Sequence, residues 1–596
     1  MARRLHLSAV QCNAHTTAAS APDTEAATPA PAAGNFGRGA VALFAVFALA
    51  AFVFFLNLGT YGLWEPDEAR YAEIAREMLA TRDFIVPHLN YVSYIEKPPL
   101  LYWLTALSMS TLGVNEFAAR LPNALAALLG VIATFVFALR AFDRRRAILA
   151  AAVLTTSGLY AVMAQVLTTD MLLAATVAVA LFAFYLHWRE GGRWCWLLYA
   201  AAGIAVLAKG PVGAAIPLLA GTAFLWWERE LKGALRRFHA FAGFALIAAI
   251  ALPWFIAITL REPGFFDFYF IGEHFRRFFE PSYSHGEPIY YYVPVIAAGM
   301  LPWTIVIPLL PWRSLAPNPA RRFCMIASAV IVALFSLASA KLIPYILPAL
   351  PPLAVIIADA IATFADHRTA ANAAAPRERK APDPRRLAAI GPVLGIAGAG
   401  TIVAAINAHR FATPYPMIVH PALYLAGATL IAGGLICFVT FWNRRFFAGL
   451  AVFVAVASAT LMIASYGRIL AEPTRSYAQL AREINRRAPA AVLICYPRYI
   501  QSLPFYCRRR VILIGAKTEL AYGAEHAPDA SRWFFTSRAD LMRLWEEPRP
   551  TVLVMDRWAL APLQQSLGSY RVVASDAKKL AITPLRAANN GATDSR

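Results

Sequence analysis

The sequence has few charged residues, few cysteines and no nucleotide-binding loop in its C-terminal region. Charged residues make up 15% of the 596 positions, whereas hydrophobic residues make up 59%. A soluble chain of this length would need a larger polar shell, so the composition excludes an ordinary soluble enzyme. Neither GxxxxGK[ST] nor GxGxxG after a strand occurs near the C-terminus, so chemistry driven by ATP is not expected there.

The six cysteines show neither a CxxC pair nor the spacing of a zinc site. Four of them lie in the N-terminal tail or in long apolar runs. Only Cys495 and Cys507 could meet, as a disulfide in an oxidising compartment, and the sequence leaves the bonded and the free states open.

Long apolar runs recur through most of the chain. A helix needs about 20 apolar residues to cross the hydrocarbon core of a bilayer. Windows of that kind predict an α-helical polytopic membrane protein with about thirteen transmembrane helices. The break at Lys209-Gly210-Pro211 separates the two shortest windows. The predicted spans lie near residues 41–58, 121–139, 147–164, 171–187, 195–208, 211–227, 240–260, 293–311, 323–339, 344–364, 387–406, 421–440 and 448–466.

The charges of the connecting loops predict the orientation. With the N-terminus in the cytoplasm, the cytoplasmic connections together hold 21 Lys/Arg against 7 Asp/Glu. The two large loops on the other face, residues 59–120 and 261–292, hold more acids than bases. This bias follows the positive-inside rule and also explains the formal charge of +20, so no nucleic-acid partner is expected.

Three regions are predicted along the chain. Residues 1–40 are rich in Ala, Thr and Pro without apolar periodicity, which predicts a disordered tail, not a signal peptide. Residues 41–469 form the transmembrane domain. An odd number of spans places residues 470–596 outside, where AAVLICY, RRRVILIG and TVLVMDR alternate with amphipathic helices and predict a small α/β domain.

The stretch WEPDEARYAEIAREM, residues 64–78, follows the first span on the outer face. Pro66, Asp67 and Glu68 are typical of a helix start, because Pro is tolerated in the first turn and acids favour the positive end of the helix dipole. The apolar residues after them predict an amphipathic helix along the membrane interface. Helix capping with a solvated face is therefore one interpretation of the two acids.

Similar charged groups occur at the other outer connections. Glu96-Lys97 precedes two prolines, Asp170 begins an apolar helix, and bases among aromatics fill the loop after residue 261. An N-cap, an interfacial aromatic belt or snorkelling would each explain one of these positions. Together, bases and tyrosines at a membrane surface suit a phosphate that carries a lipid tail, and carboxylates suit a sugar or a divalent metal. The set predicts lipid-linked glycosyl transfer.

Four stretches then resemble a known family: WEPDEARYAEIAREML, DFIVPHLNYVSYIEKPPLLYW, REPGFF followed by EHFRRF, and KLIPYILP. They resemble the bacterial lipid A 4-amino-4-deoxy-L-arabinose transferases, which are GT-C membrane glycosyltransferases. The resemblance runs in order from about residue 58 to 355. The C-terminal region carries no motif, and the N-terminal tail looks like an addition.

The resemblance implies an inverting enzyme of the bacterial inner membrane whose active site faces the periplasm. It would transfer aminoarabinose from undecaprenyl phosphate to a phosphate of lipid A. The added amine would lower the negative charge of the outer surface, which gives resistance to polymyxin and cationic antimicrobial peptides. The expected partners are the undecaprenyl-phosphate sugar donor, the lipid A acceptor and the lipid bilayer.

The same resemblance implies the site residues. The predicted catalytic residues are Asp67 and Asp170, which would position the acceptor, a metal or the amino sugar, because an ionised phosphate needs no base. A divalent metal ion held by Glu96 and His274 stays open, since one Glu and one His do not complete a site. Lys97 and Arg277, helped by Tyr345, would stabilise charge on the departing phosphate. The predicted substrate-binding residues are Glu68, Arg70, Tyr94, Lys97, Arg277, Lys341 and Tyr345.

Two other classes of protein remain as alternatives. A related transferase that uses a polyprenyl-phosphate sugar but a protein or another glycan as acceptor would share the acids of the first loop, with Asp67 as a true base. A transporter or flippase would instead show paired repeats and charges near the bilayer midplane. Here the charged groups gather on one face, which favours the transferase.

Overall fold

The structure is a computed structural model that describes residues 34–276, 280, 287–373, 383–410, 415–576 and 578–585. The chain divides into two compact units, Met1–Ala45 and Val46–Arg596. Of the predicted disordered tail, residues 1–33 lie outside the described residues. Residues 34–40 belong to the first helix instead, because helical backbone extends upstream of the apolar window.

Helices make up most of the described chain. In order they are α1 Gly34–Phe55, α2 Asp67–Thr81, α3 Leu100–Leu112, α4 Glu116–Ala141, α5 Arg144–Thr155, α6 Gly158–Ala164, α7 Thr169–Glu190, α8 Trp194–Lys209, α9 Val212–Trp227, α10 Ala234–Arg237, α11 Ala240–Arg261, α12 Tyr292–Gly299, α13 Trp303–Val306, α14 Pro319–Leu337, α15 Leu350–Ala373, α16 Ile390–Ile406, α17 Tyr415–Trp442, α18 Phe446–Arg475, α19 Ala478–Arg487, α20 Ser502–Cys507, α21 Ala521–His526, α22 Arg538–Glu546 and α23 Gln564–Leu567. A π-helix spans Asp267–Arg276, and short 3-10 helices include Ile343–Ala349 and Thr518–Leu520.

Each predicted membrane span coincides with a helix or with a bent pair of helices. Among the described residues, eight helices are long and apolar enough to cross a bilayer, and two bent helix pairs raise that number to ten. The remaining three predicted spans coincide with shorter apolar helices, Val41–Phe55, Trp194–Lys209 and Val212–Trp227. A helical polytopic fold is therefore confirmed, whereas the count of thirteen crossings stays a prediction.

The first outer loop folds into α2, a two-stranded hairpin and α3. The hairpin pairs β1 His88–Leu89 with β2 Val92–Ser93 in antiparallel register. Helix α2 begins where the sequence predicts it, with Pro66 as its N-cap residue. Its polar residues Glu73 and Glu77 are fully buried and α20 of the C-terminal region packs against it, so α2 has no solvated face at these positions. Its placement along the membrane interface stays a prediction.

The C-terminal region is an α/β unit with one six-stranded sheet. Its strands are β3 Val492–Tyr496, β4 Ile512–Ile514, β5 Phe534–Phe535, β6 Thr551–Asp556, β7 Tyr570–Ser575 and β8 Lys579–Pro584. They are ordered β5-β4-β3-β6-β8-β7. Strands β3 to β6 pair in parallel, with Val492 opposite Thr551, and β7 and β8 close one edge antiparallel. The order reverses between β3 and β6, which is where open parallel sheets usually hold ligands.

The α/β unit contains the two cysteines whose pairing the sequence leaves open. Both Cys495 and Cys507 are free and buried. Cys495 lies in the sheet on β3, while the Cys507 sulfur faces the carbonyl oxygen of Ala481 at 3.9 Å. The free state is therefore the one found, and the fold of this unit depends on its apolar core instead of a disulfide.

Candidate functional site

The first outer loop enters α2 through the EPDE motif of residues 65–68. Glu68 is buried, and the Arg120 guanidinium donates to both of its oxygens at 2.8 Å. The same carboxylate accepts the backbone N–H of Trp64 (3.0 Å) and of Leu167 (3.1 Å). Burial alone would raise the pKa of Glu68, but Arg120 and these N–H donors lower it and prevail. The Glu68 carboxylate thus joins the first outer loop to α4 and to the segment before α7, and its role in substrate binding stays a prediction.

A chain of polar contacts leads from Asp67 to Glu96. The Asp67 side chain is 56% exposed, and its Oδ1 lies 3.0 Å from Nη2 of Arg70. Nη1 of Arg70 donates to the hydroxyl of Tyr94 at 3.3 Å, and that hydroxyl donates to Oε2 of Glu96 at 2.8 Å. Four of the predicted residues are therefore brought together, with an exposed carboxylate at one end of the chain.

Tyr71 lies among charged groups from two outer loops. Burial raises its pKa; Arg70 lowers it, while the carboxylates of Asp67, Asp170 and Glu96 raise it further. Charges shift a pKa in this way over a few ångströms. The two predicted catalytic aspartates, which are far apart in sequence, therefore both influence the pKa of Tyr71.

Tyr102 completes this group from helix α3. Its ring centroid lies 6.0 Å from that of Tyr71. The Tyr102 hydroxyl is fully buried and has no hydrogen-bond partner within the part of the chain that the structure describes, and the same holds for Nε of Arg70. A buried donor without an acceptor costs free energy, so both donors suit the oxygen atoms of a hydroxylated or phosphorylated ligand.

Asp170 is buried in the first turn of α7 and forms an ion pair with Lys209, the last residue of α8. The Lys209 Nζ also lies 4.0 Å from the centroid of the Tyr345 ring. Three separate membrane helices or segments thus converge on one ammonium group. Sequence reasoning missed Lys209. The available signal was the break after it, which was interpreted only as an interruption between spans.

Lys97 extends the site toward the second outer loop. Its Nζ lies 3.4 Å from Oε2 of Glu273 on the π-helix. A cavity of about 490 Å³ lies beside this pair and is lined by Asp267, Phe268, Ile271, Gly272, Glu273, Arg276 and Tyr522.

Three predicted residues are less well placed by the structure. Lys341 is buried and lies four residues before Tyr345 in the chain. Arg277 lies outside the described residues, as does the side chain of His274. Where side chains are described, no three His, Cys, Asp or Glu residues group as metal ligands. The metal site of Glu96 and His274 therefore stays a prediction.

The C-terminal unit contains a carboxylate, Glu519, whose pKa depends on Arg70 of the first outer loop. Burial alone would raise the pKa of Glu519, but the Thr518 hydroxyl and the Arg70 guanidinium lower it and prevail. The Gln501 amide also donates to Glu519. The sequence left the role of this unit open, whereas the structure places one of its charges where it acts on a residue of the first loop.

Two family models match parts of the chain. Residues 96–256 match the model described as dolichyl-phosphate-mannose-protein mannosyltransferase. Residues 480–584 match the model described as aminoarabinose transferase C-terminal domain. The first match contains Lys97, Asp170 and Lys209, and the second contains the six-stranded sheet.

A protein from Pectobacterium carotovorum named undecaprenyl phosphate-alpha-4-amino-4-deoxy-L-arabinose arabinosyl transferase decides the family. It is 32% identical over 406 residues, which are 66% of this chain and 69% of that protein. The chain belongs to this arabinosyl transferase family. Family members from Erwinia tasmaniensis and Serratia proteamaculans are 33% and 34% identical over 319 and 337 residues. Those alignments span only 57% and 59% of the two relatives' lengths, and 52% and 54% of this chain.

Solved structures of the family share the whole fold. The crystal structure of ArnT from Cupriavidus metallidurans bound to undecaprenyl phosphate superimposes with a TM-score of 0.80 at 27% identity, over 93% of this chain and 99% of that one. Its apo state gives 0.79 at 27% identity, over 92% and 98%. The predicted GT-C membrane fold with a C-terminal α/β unit is thereby confirmed.

Proposed function

We propose that the protein transfers 4-amino-4-deoxy-L-arabinose from undecaprenyl phosphate to a phosphate of lipid A. The observation that carries this proposal is a pair of charged clusters whose aspartates both influence the pKa of Tyr71: Asp67 with Arg70, and Asp170 with Lys209 and Tyr345. Family membership and the match to an aminoarabinose transferase C-terminal domain support the choice of sugar.

The reaction needs no general base. An oxygen of the acceptor phosphate forms a bond to the anomeric carbon while the bond from that carbon to the undecaprenyl phosphate oxygen breaks, and the electron pair leaves with the lipid phosphate. The configuration at the anomeric carbon inverts. A phosphate monoester is largely ionised at neutral pH, since its second pKa is about 6. Catalysis therefore depends on orientation and on stabilising the departing charge.

The charged residues divide this work. Lys97, Arg277 and Lys209 supply positive charge for the departing phosphate, with Tyr345 beneath the Lys209 ammonium. Asp170 holds Lys209 in place. Asp67 keeps an exposed carboxylate, which suits the ammonium or a hydroxyl of the amino sugar.

The fit to a divalent metal is incomplete. Glu96 already accepts the Tyr94 hydroxyl at 2.8 Å, and no third ligand accompanies it within the described ranges. A hard divalent cation takes at least six ligands, most of them oxygen atoms. No step of the reaction is therefore assigned to a metal.

The proposal includes the bacterial inner membrane as the location, with the site on the periplasmic face. The loop charges support this orientation through the positive-inside rule. On that face the lipid-linked donor and newly exported lipid A are both accessible from the bilayer. The product carries an added amine, and resistance to polymyxin and cationic antimicrobial peptides is the expected consequence.

A protein or another glycan is the second candidate acceptor. The match of residues 96–256 to a protein mannosyltransferase model favours it specifically. A hydroxyl acceptor would require Asp67 as a base, because a serine or sugar hydroxyl is not ionised at neutral pH. The match to an aminoarabinose transferase C-terminal domain favours the phosphate acceptor.

The test is mass spectrometry of lipid A from a host that makes the lipid-linked aminoarabinose but lacks its own transferase. The wild-type chain and Asp67→Asn are expressed side by side. We expect an aminoarabinose adduct with the wild type and none with the variant. Wild-type protein present in the membrane without any adduct would refute the lipid A assignment.

A further inference from the structure

The turn that presents Asp67 is held from two directions. On the membrane side, Glu68 bonds to Arg120 of α4 and to the Leu167 amide, three residues before Asp170. On the other side, Glu65 bonds to the C-terminal unit. Asp67 lies between these two anchors and has one ion pair of its own, with its side chain more than half exposed. An exposed ion pair contributes little, so its own contact does not fix the carboxylate.

The Glu65 carboxylate occupies the start of helix α20. Its Oε2 accepts the backbone N–H of Gln501 at 3.1 Å, and its Oε1 accepts that of Ser502 at 2.8 Å. Helix α20 follows β3, whose neighbours β4 and β6 lie on opposite sides. An open parallel sheet normally binds a ligand anion at this reversal of strand order. In this chain a carboxylate of the first outer loop takes that position.

Contacts on either side of Glu65 reinforce the docking. The Leu63 amide donates to the Tyr506 hydroxyl at 2.8 Å, and the Glu65 amide donates to the Arg475 carbonyl at 2.9 Å. A Cβ placed on Gly62 would lie 2.5 Å from Oγ of Ser476, so the loop approaches this segment more closely than any side chain allows. The α/β unit therefore fixes the backbone on which Asp67 is carried.

We infer that Glu65 is a positioning residue. The contacts of Glu65 with the C-terminal unit and of Glu68 with the membrane helices form a clamp on either side of Asp67. This clamp fixes the position of the Asp67 carboxylate relative to Asp170. This inference rests on the proposed function. The α/β unit thereby supports catalysis by positioning Asp67, without contacting the reacting atoms itself. The clamp also explains why glutamates flank the aspartate: each neighbour anchors the turn to a different part of the molecule.

The inference is tested by measuring the kinetics of sugar transfer in detergent with the variant Glu65→Gln. This substitution keeps the side-chain volume. It replaces one acceptor oxygen by an NH₂ group, which cannot accept the backbone N–H that faces it. A displacement of about 1 Å at a reacting group can cost on the order of 10²-fold in rate. We expect kcat to fall roughly 10²-fold while KM for the lipid-linked donor changes less than about threefold. If Glu65 only maintained the fold, its substitution would lower the fraction of folded, active protein, and kcat per folded molecule would stay unchanged.

The matched control is Glu262→Gln. Glu262 also joins the first outer loop to the C-terminal unit, because it accepts the Ser93 hydroxyl at 2.6 Å and the Tyr522 hydroxyl at 3.4 Å. Neither of these bonds involves residues 62–68, the turn that carries Asp67. We expect its kcat to stay within twofold of wild type. If Glu65→Gln fails to fold, Tyr506→Phe decides, because it removes a single hydroxyl, which accepts the Leu63 amide and donates to Glu116 of α4 at 3.1 Å. About a tenfold loss of kcat is expected.

The outcomes separate the two claims. A wild type that transfers no sugar overturns the proposed function. An active wild type with folded Glu65→Gln at normal kcat, or with Glu262→Gln reduced equally, overturns the clamp alone. An active wild type with kcat lost in Glu65→Gln and kept in Glu262→Gln supports both.

Discussion

Lys209 joins the parts of the site that the membrane helices contribute. It pairs with Asp170 and covers the Tyr345 ring, although the three residues come from distant segments. Removing one such preorganised donor typically costs 10²- to 10³-fold in turnover. We therefore expect Lys209→Gln to lower the rate of aminoarabinose transfer by about 10²-fold.

The double variant Asp170→Asn/Lys209→Gln tests whether the pair acts as a unit. Residues in contact couple, so the double variant should be no slower than the slower single variant. Lys232→Gln, at an exposed position of a basic loop, is the control and should keep its rate. If the fold-losses in transfer rate of the two single variants multiply in the double variant, the two residues act independently.

Substituting Tyr102 should weaken binding of the lipid-linked donor without lowering thermal stability. Its buried hydroxyl lacks a partner in the described structure, so a donor substrate that binds it would gain about one hydrogen bond. We expect Tyr102→Phe to raise KM for the lipid-linked donor about tenfold and to leave thermal stability equal or higher. Enzyme kinetics and thermal denaturation in detergent measure the two effects.

Tyr160→Phe is the matched control for that prediction. The Tyr160 hydroxyl is equally buried but donates to the Ala127 carbonyl at 2.9 Å. This variant should lose stability while KM stays unchanged, which is the reverse pattern. An unchanged KM in Tyr102→Phe would exclude its hydroxyl from the donor site.

Glu65 makes stability depend on pH. Burial raises the pKa of Glu65 to about 6, although the Ser502 and Gln501 amides and Arg498 lower it. The folded state then binds more protons than the unfolded state between about pH 4.5 and 6, so this group's contribution to stability rises as pH falls and is lost as pH rises through 6. The difference amounts to at most about 2 kcal/mol.

Melting temperatures of wild type and Glu65→Gln at pH 7.5 and pH 5 measure this effect. Glutamine does not titrate, so the wild type should gain a few degrees relative to the variant at the lower pH. The comparison cancels the titration of every other group. A constant difference between the two proteins would mean that Glu65 does not change its charge in this range.

At the scale of elements, α2 is attached to α4 by a buried ion pair. Arg120 also donates to the carbonyl oxygens of Leu58, Tyr61 and Gly62, so it holds the loop before α2 as well as Glu68. Removing one partner of a buried pair typically costs 3–5 kcal/mol, because the other charge remains buried. We expect Arg120→Met to lower thermal stability by that order and to abolish transfer.

Arg140→Met provides the control on the same helix. Arg140 pairs with Glu190 at 3.2 Å, but its side chain is 54% exposed, and exposed pairs contribute about 1 kcal/mol or less. Thermal denaturation in detergent should therefore separate the two variants clearly. Equal destabilisation would show that burial does not distinguish the two pairs.

Helix α2 also shows where local patterns mislead. Its start was predictable, since Pro and acids at a helix N-terminus follow local rules, and the structure begins the helix at Asp67. Its environment was not, because Glu73 and Glu77 have the composition of a solvated face yet are covered by the α/β unit. That cover comes from residues more than 400 positions later in the chain.

At the scale of the whole molecule, the proposed orientation predicts which exposed positions a membrane-impermeant thiol reagent reaches. The five described cysteines are buried, so we expect the reagent to label them little. Cys12, which lies outside the described residues, is replaced by Ser in this experiment. Ser569→Cys on the α/β unit should react in cells with a permeabilised outer membrane. Asn443→Cys, between two membrane helices, should react only after the inner membrane is opened. Reaction of both at once would refute the orientation.

The sequence by itself determined that the chain is a helical membrane protein and which motifs it shares with the arabinosyl transferases, and its loop charges predict the orientation. Hydropathy and charge bias are sums over neighbouring residues, so they need no tertiary contact. Only the tertiary structure decided the roles inside the EPDE motif. Asp67 and Glu68 are chemically similar, but Arg120 donates a hydrogen bond to Glu68. Glu65 accepts the backbone amide of Ser502, which lies 437 positions later in the chain. Such contacts depend on packing, which no local pattern records.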